Sequence, residues 1–389
     1  MKLLILVSRF PYPLEKGDKL RAYHQIRQLS KRHEIYLHCL SDEKVKDEWK
    51  KEVSQYCQEL HVHELNRLSI YFNTAWQIFT DKPYQVGYFY HRNIQKKINK
   101  NIREIQPDHI YCQLIRTSEY VKNFHGIKKT IDYMDALGKG MLRRAEIAKG
   151  FKKRLLSSEG KRLAEYENRI FDYFDGHTII SEQDRSYIGH PDNEKIVIIE
   201  NGISESFFEF EKEIEQDHDI VFNGNMNYPP NIECAEFLVN EIKPLMKDVK
   251  ILLSGASPNE RVKKLAEKDG VTVTGWVDDI RHSYRRGKVF AAPLFIGTGL
   301  QNKLLEAMAL KLPCITTPLA NNALGAIENE SILIARSAEE FASKIEDLIR
   351  NSDKAKSLAE KGHEFVKSRY NWEDTTERLE DVMTKKTGK

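Results

Sequence analysis

The stretch Pro293-Leu294-Phe295-Ile296-Gly297-Thr298-Gly299-Leu300-Gln301-Asn302-Lys303-Leu304-Leu305-Glu306-Ala307-Met308-Ala309 reads as the end of a buried strand, a glycine loop, and a helix with Lys303 in its first turn. The loop has the make-up of a phosphate cradle. Unpaired N–H groups already make a helix N-terminus positive, so a lysine there is disfavoured unless an anion sits beside it. Lys303 and Glu306 are three residues apart and share a helix face, so a cation and a carboxylate can address one elongated ligand, such as a nucleotide diphosphate sugar. On spacing alone, a surface Lys–Glu pair on an amphipathic helix fits equally well.

On either side of this stretch, short β-branched or apolar runs alternate with helical patterns. Leu3–Val7 is followed by a helix near Lys19–Lys31, then by strands at Glu34–Cys39, His109–Gln113 and Lys129–Tyr133. A similar rhythm restarts at Asp219–Gly224 and runs through Lys250–Gly255, Val271–Gly275, Val289–Pro293 and Cys314–Thr317. Alternation of this kind predicts α/β architecture with two doubly wound, Rossmann-like parallel sheets. The boundary is expected near Ile196–Ile203, where a strand runs into an Asn-Gly turn ahead of the acidic segment Glu209–Asp219. Residues 1–202 and 203–369 are the expected domains, with a last helix within 370–389 after a break at Tyr370-Asn371.

At 389 residues the chain exceeds what one core usually supports, which also favours two domains. No apolar run approaches the roughly 20 residues needed to span a bilayer. The run Leu3–Val7 is too short for a signal peptide and leads into Arg9 and prolines, so it reads as a first buried strand. Five widely spaced cysteines without a C-x-x-C pair suggest neither a disulfide framework nor a zinc site, and fit a reducing cytoplasm. A net charge of +3 gives no case for nucleic-acid binding. Charge is local instead. Lys149–Arg162 holds six cations among Phe151, Leu155 and Leu156, and two readings stand: a solvated helix face, or a surface resting on the anionic inner face of a membrane. Leu68–Phe89 is rich in aromatic residues, for which core packing is the default and an acceptor or lipid pocket the alternative.

Several motifs in this order resemble bacterial retaining glycosyltransferases of family 4, which have the GT-B fold. They are Val197-Ile198-Ile199-Glu200-Asn201-Gly202-Ile203, Gly275-Trp276-Val277-Asp278-Asp279, the Thr298–Ala309 segment, His177–Asp184 and Tyr370-Asn371-Trp372. Within the family the chain is similar to sugar transferases of exopolysaccharide assembly systems. The resemblance implies a donor site in the second domain, an acceptor side in the first, and a helix within 370–389 that crosses back to the first. It also implies transfer of a sugar from a nucleotide diphosphate donor to a hydroxyl of a glycan or lipid-linked glycan, with no cofactor and no obligatory metal. Glu306 matches the second glutamate of the family's E-x7-E motif, which accepts hydrogen bonds from the ribose. Thr298 stands where the first glutamate is expected, a departure that leaves sugar hydroxyls or phosphate to Thr298 and to the backbone of Gly299, Leu300 and Gln301.

Around Gly224 and Asn225, many relatives carry an arginine and a lysine on the diphosphate. Neither is present here, so Lys303 is the replacement cation for the leaving group, with Gln301 and Asn302 as neutral donors. An ordinary turn with an asparagine at positive φ is the alternative for the Gly224 loop. Gly275, Trp276 and Val277 are assigned to the base. Gly17, after the first strand, resembles the family's first-loop glycine and would let backbone approach a ligand, with Asp18 as a helix cap. Of Asp132 and Asp135 at a strand end, Asp135 is chosen to orient or partly deprotonate the acceptor hydroxyl, and helix capping is the alternative for either.

Asp217-His218-Asp219 has D-x-D spacing but lies in a charged segment ahead of a strand, and is rejected as a metal site. His61 and His63 read as surface residues. Two rival functions remain. One is a nucleotide-sugar epimerase of the same fold; the other is a non-catalytic sugar-nucleotide-binding scaffold, suggested by Thr298.

Overall fold

The structure is a computed structural model that describes residues 1–296 and 300–384. It divides into two compact units: Met1–Glu200 with Trp372–Lys389, and Asn201–Asn371.

Among the described residues, the first unit is built on the strands β1 (Lys2–Val7), β2 (Glu34–Ser41), β3 (Glu59–Glu64), β4 (His109–Gln113), β5 (Lys128–Asp132), β6 (Gly176–Ile179) and β7 (Val197–Ile198). They lie in the order β3-β2-β1-β4-β5-β6-β7, with every neighbouring pair parallel. Leu3 to Val7 are buried throughout, as expected of a central parallel strand covered on both faces. The helix after β1 runs Gly17–Leu29, two residues earlier than the apolar pattern suggests. Asp18 is therefore inside its first turn and not its cap, and pairs with Arg9 at 2.5 Å. The last helix, Trp372–Thr384, belongs to this unit: the Trp372 ring stacks on His24 at 4.8 Å, and Arg378 pairs with Glu200.

The second unit is built on β8 (His218–Asn223), β9 (Ile251–Ser254), β10 (Val271–Val273), β11 (Gly287–Ala292), β12 (Cys314–Thr316) and β13 (Leu333–Ile334), in the order β10-β9-β8-β11-β12-β13 and again all parallel. Strand order reverses between β8 and β11. In open parallel sheets that reversal opens a crevice outside the carboxyl ends of the strands, where ligands bind. Asn223-Gly224-Asn225 leaves β8, and Pro293-Leu294 leaves β11, at this point. Two doubly wound parallel sheets are the GT-B expectation.

Three expectations are corrected. Tyr71, Phe72, Trp76 and Phe79 are exposed on the helix Arg67–Trp76 and the turn Gln77–Phe79, whereas Phe89 alone of the named aromatics is fully in the core. His63 is buried and stacks with His38 and His61 across β2 and β3, and loss of water holds it neutral, down to about 3. Of the run Asp217-His218-Asp219 only Asp217 lies ahead of β8, and Asp217 and Asp219 are paired with Arg286 and Lys288.

Candidate donor and acceptor sites

Three strand-end loops of the second unit meet through glycines. A Cβ on Gly255, which sits at φ +133°, would fall 1.9 Å from the Gly224 carbonyl oxygen, and Gly255 N–H donates to the Gly275 carbonyl at 3.0 Å. Only a residue without a side chain allows the loops after β8 and β9 to approach so closely. Gly275 is itself at φ +71°. Beyond it, Trp276 is exposed and Val277 half-buried.

Asn231 joins the Gly224 loop to the helix Asn302–Ala309. Its amide nitrogen donates to the Asn225 carbonyl at 2.9 Å, and its amide oxygen accepts from Lys303 Nζ at 2.6 Å. A Cβ on Gly224 would stand 2.7 Å from that amide nitrogen, so glycine makes room for the link. Asn225 is not at positive φ; its side-chain oxygen accepts from Asn227 N–H in a local turn. Lys303 also lies 3.4 Å from Gln301 Oε1 and 5.4 Å from the Phe222 ring centroid, and its enclosure lowers its pKa. The expected free cation is thus held by Asn231, and Gln301 offers it an acceptor instead of serving only as a donor.

One turn along, Glu306 Oε2 accepts from the hydroxyl of the fully buried Tyr284 at 2.7 Å. Tyr284 comes from the short helix Ile280–Arg285, whose first turn is capped by Asp279. Burial pushes the Glu306 carboxyl up to about 7, against the opposing pull of Tyr284 and Lys303. Nearby, Asn302 Oδ1 is buried without a hydrogen-bond partner among the described residues, whereas the Asn223 amide lies against the Tyr284 hydroxyl. A buried polar atom ordinarily finds a partner, so Asn302 Oδ1 marks polar capacity open to a ligand. Leu300 packs partly buried against the core. Gly297, Thr298 and Gly299 lie outside the described residues, and the assignments made to Thr298 and Gly299 with them.

The structure therefore brings Gly224, Asn225, Gln301, Asn302, Lys303 and Glu306 together at the switch point, with Gly275 beside Gly224 through Gly255. Sequence reading missed Tyr284 and Gly255, and left Asn231 without a role. Asn231 lies six residues past Asn225, close to the Gly224 loop in sequence, whereas Tyr284 lies in a separate helix with no signal of its own.

In the first unit, Asp132 is fully buried and fully engaged. It accepts from Arg21 Nε at 2.6 Å, Tyr111 hydroxyl at 3.0 Å and Thr178 hydroxyl at 3.0 Å. Asp135 is exposed, three residues on, past Met134 at φ 59°. Crowding by protein atoms, with Asp184 and Asp132 adding like charge, nonetheless pushes its carboxyl up to about 7. Neither aspartate caps the following helix Leu137–Ile147; Gly138 N–H goes to Glu167 and Ala136 N–H to Asp184. Gly17 opens its helix, and a Cβ there would meet open space.

Known proteins share this fold. Residues 217–351 match the family model Glycosyl transferases group 1. A Klebsiella pneumoniae protein described as an uncharacterized 44.6 kDa protein in the cps region is 23% identical, over 95% of this chain and 96% of that protein. Sucrose-phosphate synthase from Thermosynechococcus elongatus superposes with a TM-score of 0.71 at 14% identity, covering 98% of each chain. Anabaena Alr3699/HepE, solved in complex with UDP, superposes at 0.68 with 13% identity, covering 99% of this chain and 100% of its own.

Proposed function

We propose that this chain, which has the GT-B fold and matches the family model Glycosyl transferases group 1 over residues 217–351, transfers a sugar, with retention at the anomeric carbon, from a nucleotide diphosphate donor to a hydroxyl of a glycan or lipid-linked glycan in surface polysaccharide synthesis. The observation that carries this is Glu306, oriented by Tyr284 one turn from Lys303, at the switch point of the unit that matches the family.

In this scheme the ribose hydroxyls donate to ionised Glu306. Lys303 leaves the Asn231 oxygen for a diphosphate oxygen, where it offsets the charge that grows as the bond from C1 to phosphate oxygen breaks. The acceptor oxygen bonds to C1 on the same face, and its proton goes to the departing phosphate oxygen, with Asp135 orienting the hydroxyl. No cofactor is invoked: Lys303 and the helix N-terminus supply the positive charge a metal would otherwise bring. The relative in a cps region and the UDP bound by Alr3699/HepE support a nucleotide-sugar donor and a polysaccharide setting. The five cysteines are free thiols, the state a reducing cytoplasm maintains. Contact with an anionic membrane is part of the proposal.

The test is turnover of a nucleotide-sugar panel with oligosaccharide and lipid-linked acceptors, the product's anomeric configuration being read by NMR. A retained product is expected. An inverted product, or epimerised donor without acceptor, contradicts the scheme. Tight nucleotide binding with no turnover for any pair would favour the scaffold alternative raised by Thr298.

A further inference from the structure

The helix Arg67–Trp76 and the turn Gln77–Phe79 are built inside out. Leu68, Tyr71, Phe72, Ala75, Trp76 and Phe79 follow i, i+3, i+4, i+7, i+8 and i+11 spacing, the stripe a helix of a globular protein turns to its core. Here that stripe faces outward, with Phe72 76%, Trp76 66% and Phe79 81% exposed. The inward face carries Ile70, packed in the core, together with polar anchors. Asn73 Nδ2 donates to the Tyr90 carbonyl at 2.8 Å, Gln77 Nε2 to the Asn73 carbonyl at 2.9 Å, and Thr80 hydroxyl to Gln77 Oε1 at 2.7 Å. Gly87 lets this face lie close, since a Cβ there would fall 2.4 Å from Gln77 Cγ. The apolar face is thus presented on a fixed platform.

A second exposed apolar row lies on a helix fastened to this segment. On the helix Gly150–Phe171, Phe151 and Leu155 are exposed and share a face with Glu159, at successive four-residue steps. Glu159 accepts from Tyr84 N–H at 2.7 Å and Gln85 N–H at 3.0 Å, while Arg162 donates to the Gln77 carbonyl at 2.7 Å and the Lys82 carbonyl at 3.0 Å. The two helices are therefore fastened together at residues 77–85. Between residues 139 and 162 there are nine Lys or Arg against two Glu, an excess of seven in a chain whose net charge is only +3. Lys152, Lys153 and Arg154, around Phe151 and Leu155, are exposed.

We propose that this surface is a membrane-docking face, in which the Leu68–Phe79 stripe with Phe151 and Leu155 enters the headgroup region of a bilayer while the cations of 149–161 contact anionic lipid. A rigid aromatic stripe beside a concentrated basic patch has the composition of an interfacial helix surface, and complementary charge selects anionic lipid over other apolar partners. No helix of the described residues is long and apolar enough to cross a membrane, so attachment is to one leaflet. The inference locates the membrane contact of the proposed function but rests on the first unit's surface alone; failure of sugar transfer would leave it standing.

The test is flotation of the full chain with neutral phosphatidylcholine vesicles and with vesicles containing about 30 mol% phosphatidylglycerol. Binding to the anionic vesicles is expected. Phe72→Ser with Trp76→Ser and Phe79→Ser should weaken it at least tenfold. Lys152→Glu with Lys153→Glu should do the same, since each cation near an anionic surface contributes a factor of about five. All five positions are exposed, so thermal midpoints and nucleotide-induced shifts should stay unchanged, which separates lost docking from lost folding. Brominated lipid should quench Trp76 fluorescence, and Trp76→Phe should abolish that component while preserving binding. Absence of binding to either vesicle, binding unaffected by the serine variants, or a concentration-dependent dimer that they dissociate would overturn the proposal, the last assigning the face to a second copy.

Discussion

Glu306 carries a proton near neutrality because folding takes its carboxyl out of water. A carboxyl raised from its ordinary value to about 7 contributes stability below the unfolded value, and that contribution fades as pH rises through about 7. Asp135, also pushed up to about 7, acts in the same direction. The thermal midpoint of the free protein should therefore fall between pH 5 and pH 8, and Glu306→Gln should make that fall shallower; calorimetry across that range checks both. Ribose hydroxyls would favour the ionised form, so affinity for a donor with no titrating terminal phosphate, such as UDP-glucose, should rise through pH 7 with proton release. Titration calorimetry in buffers of different ionisation enthalpy reads the proton directly. Tyr284→Phe should move this transition to higher pH and weaken donor binding about tenfold, since hydrogen bonds to charged groups contribute about 1.5–3 kcal/mol. The two aspartates of the first unit should separate cleanly. Asp132→Asn leaves Arg21 buried beside a neutral amide and should cost about 3–5 kcal/mol in urea denaturation. Asp135→Asn should retain the midpoint at pH 5, where the carboxyl is protonated, and lower the transfer rate about 100-fold.

Strand-end loops carry the proposed donor site, and their spacing depends on glycines at two contacts. Gly224→Ala would crowd the Asn231 amide at 2.7 Å and push it off Lys303, so nucleotide affinity should fall while the fold persists. Gly255→Ala places a Cβ 1.9 Å from a backbone oxygen at a φ that L residues avoid, and should cost more stability than Gly224→Ala in the same denaturation assay. Strands such as Leu3–Val7 and Ile220–Phe222 were legible in the sequence, because a parallel strand covered on both faces must be apolar along its length. The helix Asn302–Ala309 with Lys303 in its first turn was legible for a related reason: a cation against the helix dipole needs a partner. What the sequence hid was the partner. Asn231 reaches Lys303 from 72 residues away, and Tyr284 reaches Glu306 from another helix, contacts that only the tertiary fold creates. The stripe of Leu68–Phe79 was misassigned to the core because helical periodicity shows that a helix has an apolar face, and not whether protein or something else covers it.

Each unit has its own parallel sheet and its own apolar core, and the division of labour follows from which residues each unit collects. The second gathers a cation, a raised carboxyl and buried asparagine amides at a switch point; the first exposes Asp135 and an apolar, basic surface. A ligand that binds only the folded protein stabilises it by about 2.7 kcal/mol at 100 times its dissociation constant. The decisive measurement is the thermal midpoint of the purified chain with UDP, GDP, ADP, CDP and dTDP, repeated on Lys303→Ala and Glu306→Gln. A rise of several degrees with one nucleotide, lost in both variants, is the expected result, and it names the base. No shift with any nucleotide, or a shift of full size in both variants, would show that Lys303 and Glu306 do not form the donor site.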